Sequence, residues 1–320
     1  MRFRLFLNLF WPTFFLQCNK TVAFNQFYWT TFTKPFKEKA RTFFIKRAEK
    51  KGIPWNQLKN VYQQDENNQK LKQNFDLVYN KSLQYPSYFL KPFHGYEEGN
   101  MNWEAAYENS ASTLSISSHY WKNTSPEDAA KYMRNEFINA IENFGKSKSY
   151  ETILDIGCSI GKSTEVLEKS FPMAKSIQGV DLSPYFLSVG MFHRNQNSFS
   201  KIEYSHQNAE KMHFSSNSFD LVSASFLFHE VPRLSTLAIL KECLRTLKPG
   251  GTIAILDLDP FLLQNRLEKN IIRKIFFEST EPHIYEYYTT NFIDLMKEAG
   301  FSNISRIQND PYNSVWIGKK

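Results

Sequence analysis

Residues 153–164 read Ile-Leu-Asp-Ile-Gly-Cys-Ser-Ile-Gly-Lys-Ser-Thr, an apolar run that passes through a small-residue turn into a helix-period segment. Gly157 and Gly161 would let the backbone approach a ligand, and the start of a helix offers it unpaired amides. Lys162-Ser163 invites a phosphate-binding loop, but G-x-x-x-x-G-K-S needs its first glycine at 156, which is Ile. A dinucleotide fingerprint, G-x-G-x-x-G, needs glycine at 159 and 162, where Ser and Lys stand. A nicotinamide oxidoreductase is therefore disfavoured. The pattern that survives is Asp155-x-Gly157-x-Ser159-x-Gly161.

Further chemistry-bearing segments follow at ordered spacing. Asp181, in Gly179-Val180-Asp181-Leu182-Ser183-Pro184, ends an apolar run and lies where a carboxylate can accept hydrogen bonds from both hydroxyls of a ribose. Next come Asn208-Ala209-Glu210-Lys211-Met212-His213-Phe214, then Ser218-Phe219-Asp220-Leu221-Val222, and finally Leu247-Lys248-Pro249-Gly250-Gly251-Thr252. His229, in Phe226-Leu227-Phe228-His229-Glu230-Val231-Pro232, follows a strand-like run and is the candidate proton acceptor, with Glu230 to orient it or face solvent. Cys158 has no base beside it, and Cys243 falls on an apolar helix face as core. Asp257 and Asp259, without a valid phosphate loop, read as the rim of the fifth strand.

These residues need a scaffold that brings strand ends together. Strand-like runs at 152–156, 176–181, 202–205, 219–225 and 252–257 alternate with helical stretches at 162–170, 184–194 and 235–247, which implies a parallel sheet covered on both faces. A helix at 290–299 and two strands, 303–307 and 314–317, close the chain. Upstream, Ser125-Pro126-Glu127-Asp128 signals a helix start, with Gly145 as its stop. Residues 54–80 read as a surface helix or linker, and 85–123 form an aromatic segment. That segment and 261–288 are the material available to roof a site, and their aromatics fit a hydrophobic or planar acceptor or plain packing.

The region from about 151 to 260 resembles the class I S-adenosylmethionine-dependent methyltransferases, in particular the methyltransferase type 11 group. The flanking segments are similar to uncharacterised plant, algal and cyanobacterial members. The resemblance implies a Rossmann-like, doubly wound α/β fold of seven strands with a reversed C-terminal hairpin, preceded by a helical and aromatic cap. It implies that Asp155 and the turn of Gly157, Cys158, Ser159 and Gly161 hold the methionine part of S-adenosyl-L-methionine. Asp181 would hold the ribose, Leu182 would pack on the adenine, and Asn208 and Ala209 would face the ring edge, with Phe226 also at the cofactor. Ser159 and Asn208 depart from the usual Gly and Asp. The expected activity is methylation of a small, apolar or aromatic metabolite; a non-catalytic binding or assembly module on the same fold is the alternative.

Charge narrows the partners. Residues 1–51 hold eleven Lys and Arg against two acids, while the remaining chain carries 28 basic and 30 acidic residues. The basicity therefore sits in a leader, and the body has no electrostatic reason to seek nucleic acid. Residues 1–23 read as a signal peptide, with an apolar stretch too short for a stable membrane span, and 24–53 as a transit-peptide-like leader. The cap then occupies 54–146 and the cofactor-binding domain 147–320. The two-part leader resembles those directing proteins to algal plastids; the alternative is the secretory pathway or an anchor at residues 5–18. Three cysteines exclude a disulfide scaffold and metal-binding Cys pairs.

Overall fold

The computed structural model describes residues 41–121, 123–145, 149–270, 274, 277–278 and 281–320; the expected signal peptide and most of the expected leader lie outside the described residues. Residues 41–50 are helical, and from Arg47 onward the chain forms one unit. Ala48 and Ile53, which the leader reading includes, are fully buried. Among the described residues, no helix is long and apolar enough to cross a membrane.

Alternating side chains on the strands require cover on two faces. Strands β1 (Thr152–Ile156), β2 (Ser176–Asp181), β3 (Ile202–His206), β4 (Phe219–Ser225) and β5 (Leu247–Leu258) pair in parallel, and β6 (Ser302–Gln308) and β7 (Asn313–Lys319) join antiparallel. The order is β3-β2-β1-β4-β5-β7-β6, the expected doubly wound sheet with a reversed hairpin. Ile153, Ile177, Leu221, Ala254 and Val315 pack on one face, against Met133, Phe137 and Ile141 of a helix at Pro126–Gly145. Leu154, Ile156, Val222, Ile253 and Ile255 pack on the other, with Cys243 among them as core. The sequence signal for that helix start is a true cap, since Asp128 N–H donates to Ser125 Oγ at 3.0 Å and Ser125 Oγ–H donates to Asp128.

After the helical stretch at 41–50, the helices of the described residues are, in chain order, α1 (Trp55–Gln63), α2 (Asp65–Val78), α3 (Trp103–Tyr120), α4 (Pro126–Gly145), α5 (Lys162–Ser170), α6 (Pro184–Gln196), α7 (Arg233–Thr246), α8 (Pro260–Glu268), α9 (Ile284–Tyr288) and α10 (Phe292–Ala299). The reading of 54–80 as a surface helix or linker is corrected. It is two helices, and Tyr62 and Leu71 are buried with Ala106 and Tyr107 of α3 against Phe186, Val189 and Phe192 of α6. The Gln- and Asn-rich composition masked a narrow apolar stripe, which carries the packing. β5 also starts earlier than expected, running through Lys248-Pro249-Gly250-Gly251.

Candidate active site

In an open parallel sheet, ligands collect outside the carboxyl ends of the strands where the strand order reverses. Here that point lies between β1 and β4. The loop after β1 is built around Asp155, whose fully buried carboxylate accepts from Ser163 Oγ and Thr164 Oγ1 at 2.7 Å and from Ser223 Oγ at 3.1 Å. Burial pushes its pKa up to about 6 against those three hydroxyl bonds. Gly157 and Gly161 have φ of +62° and +78°. A Cβ on Gly161 would lie 1.9 Å from Tyr204 Oη, so this glycine is required by Tyr204 packed beneath the loop.

Asp181 ties this loop to β2. Its Oδ2 accepts from Ser159 N–H and its Oδ1 from Ser183 N–H, both at 2.8 Å. Burial raises its pKa to about 6, the two amide bonds oppose this, and Asp155 adds to it. Ser159 occupies the left-handed region at φ +51°, and Asn109 Nδ2 of α3 donates to its hydroxyl at 3.1 Å. Gly157, Ser159, Asp181, Leu182, Asn208, Ala209 and Phe226 all keep partial exposure along this edge. Asp155, Cys158 and Gly161, which the resemblance assigns to the methionine end of the cofactor, are buried within the loop. Burial also lifts the Cys158 thiol well above its ordinary pKa, which leaves it unreactive. Asn208 Oδ1 already accepts from Glu210 N–H at 2.9 Å, closing its own turn.

Beside Leu182 stands an aromatic wall that the motifs did not announce. His206, ending β3, accepts from Asn80 N–H at Nδ1 (3.0 Å), so its Nε2–H donates to Leu182 O at 3.0 Å. Tyr79 stacks on its ring, and Tyr85 Oη approaches Nε2 at 3.1 Å.

A second group assembles on the other side of the switch point. The chain leaves β4 through Phe226 at φ +58° into a short 3₁₀ turn, Phe228–Glu230. Asp257 at the end of β5 is fully buried beneath that turn, not on the rim. Its carboxylate accepts from Phe228 N–H at 2.8 Å, His229 N–H at 3.3 Å, Leu258 N–H at 2.7 Å and His229 Nδ1 at 2.7 Å. Asp259, by contrast, is structural: it caps α8 and bonds Arg306 and Ser314. His94, on a segment between α2 and α3, places Nε2 3.3 Å from Glu281 Oε1 and 3.7 Å from Glu230 Oε1. Burial pulls the His229 pKa down, but Asp257, Glu230 and Glu281 outweigh it and the result is about 9. Burial pushes Glu230 up to about 7 despite the two imidazoles.

The segment carrying His94 straps the two groups together. Tyr88 Oη donates to Glu210 Oε1 at 2.7 Å, and Ser183 Oγ donates to Asn100 O at 2.6 Å. The expected pair, His229 and Glu230, is therefore joined by Asp257, His94 and Glu281. No motif links those three; only the aromatic density around His94 and the acid ending β5 hinted at them.

Residues 153–251 match a family model described as a methyltransferase domain. The chain is 32% identical over 173 residues to demethylmenaquinone methyltransferase of Staphylococcus saprophyticus, an alignment covering 49% of this chain and 72% of that protein. It is 36% identical over 104 residues to the enzyme of the same name from Bacillus subtilis, covering 32% of this chain and 44% of that one. Among solved structures, phosphoethanolamine N-methyltransferase 2 of Haemonchus contortus in complex with S-adenosyl-L-methionine is similar at TM-score 0.45 and 19% identity, over 58% of this chain and 52% of that one.

Proposed function

Because this chain belongs to the class I S-adenosylmethionine-dependent methyltransferases and is an enzyme that uses that cofactor, we propose that it methylates a small, apolar, planar acceptor bearing an ionisable hydroxyl. The observation that carries this reading is the placement of Asp181 and of the His229–Asp257 pair on opposite sides of one switch point, under one strap. The relatives named for demethylmenaquinone support an aromatic acceptor.

The residues present fit the cofactor. Each oxygen of Asp181 spends one lone pair on an amide, which leaves a second for a ribose hydroxyl. Leu182, with Tyr79, Tyr85 and His206 close by, offers an apolar face for adenine, and Asn208 and Ala209 stand at its edge. Ser159 and Gly157 line the methionine end. When bound, the cofactor supplies a methyl group on a sulfonium, already electrophilic. The protein must then align the acceptor in a dry cleft and receive its hydroxyl proton. The group of His229, Glu230, His94 and Glu281 lies where that proton would leave, and Asp257 fixes the ring of His229.

Incubation of the full chain with labelled S-adenosyl-L-methionine and a panel of phenols and hydroquinones tests this reading. Methylated product from an apolar hydroxyaromatic, and none from ethanolamine-type amines, is the expected result; the reverse pattern overturns it. For the compartment, the acid-poor basic start supports an algal plastid. Imaging residues 1–60 fused to a fluorescent protein checks this, and an extracellular signal would end it.

A further inference from the structure

Glu281 presents an unusual balance of charge at the far end of the cleft. It is 92% buried by residue; among the described residues its Oε1 lies 3.3 Å from His94 Nε2 and its buried Oε2 has no hydrogen-bond partner. A buried carboxyl oxygen left without a hydrogen-bond partner is costly. Around it, Glu230, Glu281 and Asp257 set three carboxylates against the two imidazoles of His94 and His229. One donor atom from each of His94, His229 and Glu230 lies within 4.8 Å of the other two.

We propose that these residues form a divalent transition-metal site, with His94, His229 and Glu230 as ligands and Glu281 flanking the shell beside His94. Two imidazoles and a carboxylate around an open position suit zinc and its first-row neighbours. Ligand atoms around zinc sit roughly 3.3 Å apart, as bond lengths of about 2.0–2.2 Å dictate, so closure requires movements of about 1 Å. The strap can supply these, since His94 is partly exposed on a loop. The Asp257–His229 bond has the form of the carboxylate–histidine–metal arrangement, in which the acid fixes the ring so that the far nitrogen binds the ion. The open position faces the cleft, where the acceptor's hydroxyl oxygen would bind. Its O–H bond breaks there, the proton passes to Glu281, and the electron pair stays on oxygen.

This inference rests on reading the cluster as the acceptor's end of the cleft, and its test separates the two. Full-length protein without a polyhistidine tag, stripped with chelator, is titrated with Zn²⁺ by calorimetry and with Co²⁺ by visible absorption; S-adenosylhomocysteine is titrated in parallel. The expected result is one equivalent of metal, at least tenfold weaker in His94→Asn and Glu230→Gln, with nucleoside affinity within twofold of wild type. Asparagine at 94 tolerates the left-handed backbone there (φ +52°), and unchanged nucleoside binding reports a folded variant. Wild-type protein that takes up no metal overturns the proposal, as does metal uptake indifferent to both substitutions. Metal bound with no nucleoside bound would keep the site and remove the functional reading.

Discussion

The two halves of the cleft solve their electrostatics in opposite ways. On the β1–β2 side the two carboxylates at the loop are met by neutral donors: Asp155 by three hydroxyls, and Asp181 by two amides. Its geometry is fixed before any ligand arrives, and its loop and both carboxylates, Asp155 to Asp181, come from one stretch of some thirty positions, with Ser223 reaching in from β4. On the β4–β5 side, acids outnumber the bases, a buried oxygen lacks a donor among the described residues, and the parts come from positions 94, 229–230, 257 and 281. A rigid binding half thus faces a half that is charged and held by a strap. Such a division suits a fixed cofactor and an acceptor that must lose a proton.

The sharpest way to break this division is at His229. His229→Ala is expected to lower kcat by about 10²–10⁴-fold, the range for disrupting the group of side chains that takes up the acceptor's proton, while S-adenosylhomocysteine affinity stays within twofold. Asp257→Asn should fall in the same direction, because the ring loses the acceptor that fixes its Nδ1–H. Steady-state kinetics beside calorimetry decides. Equal losses in kcat and nucleoside affinity would show that the halves are not separable.

The next largest effect tests the rigid half. Gly161→Ala forces a Cβ to 1.9 Å from Tyr204 Oη at a φ of +78°, and urea unfolding should show a loss of about 3 kcal/mol. Gly161→Ala/Tyr204→Ala, by removing the ring, should leave only the backbone strain, roughly 1 kcal/mol relative to Tyr204→Ala alone. Equal losses in both backgrounds would remove Tyr204 as the reason for this glycine.

That contrast also marks what the sequence could tell. The β1 turn, Asp181, the Asn208 segment and all seven strands were legible because their spacing is local and the parallel strands, covered on both faces, read as short continuous apolar runs. The loop glycine was identified for its freedom to approach a ligand; the second constraint, a tyrosine 43 positions downstream packed beneath it, is one that no spacing reveals. Helices α1 and α2 were understated because Gln and Asn dilute the apolar stripe that Tyr62 and Leu71 bury. His94, Glu281 and the role of Asp257 were illegible: long-range contacts join them, and a buried acid at a strand end looks the same in sequence as an exposed one.

A smaller effect separates binding from folding within the rigid half. Asp181→Ala removes two ligand-facing lone pairs and two amide partners. Nucleoside affinity should weaken by about 10–100-fold, as for lost charge-assisted hydrogen bonds, with the unfolding midpoint lowered by only a few degrees. Retained affinity would dislodge the ribose reading of this carboxylate.

The smallest effect follows from the sign of the Asp181 shift. Its folded pKa, about 6, lies above the ordinary carboxylate value of 3.8, chiefly because burial disfavours the charge. The folded state therefore holds this proton more tightly than the unfolded chain does. The stability it contributes is complete below about pH 3.8 and is lost as pH rises through 6, after which the dependence levels off. A shift of two units would be worth about 2.7 kcal/mol for a fully buried group, but Asp181 keeps partial exposure and solvent screening reduces this to about 1 kcal/mol. Asp181→Asn removes that titration. The difference in unfolding free energy between Asn and Asp proteins, measured without ligand at pH 4, 5, 6 and 7.5, should therefore shift in favour of Asn by about 1 kcal/mol over that range. A difference that stays flat would mean the carboxylate is solvated as well in the fold as out of it. The preformed pocket that distinguishes this half of the cleft from the other would then lose its electrostatic basis.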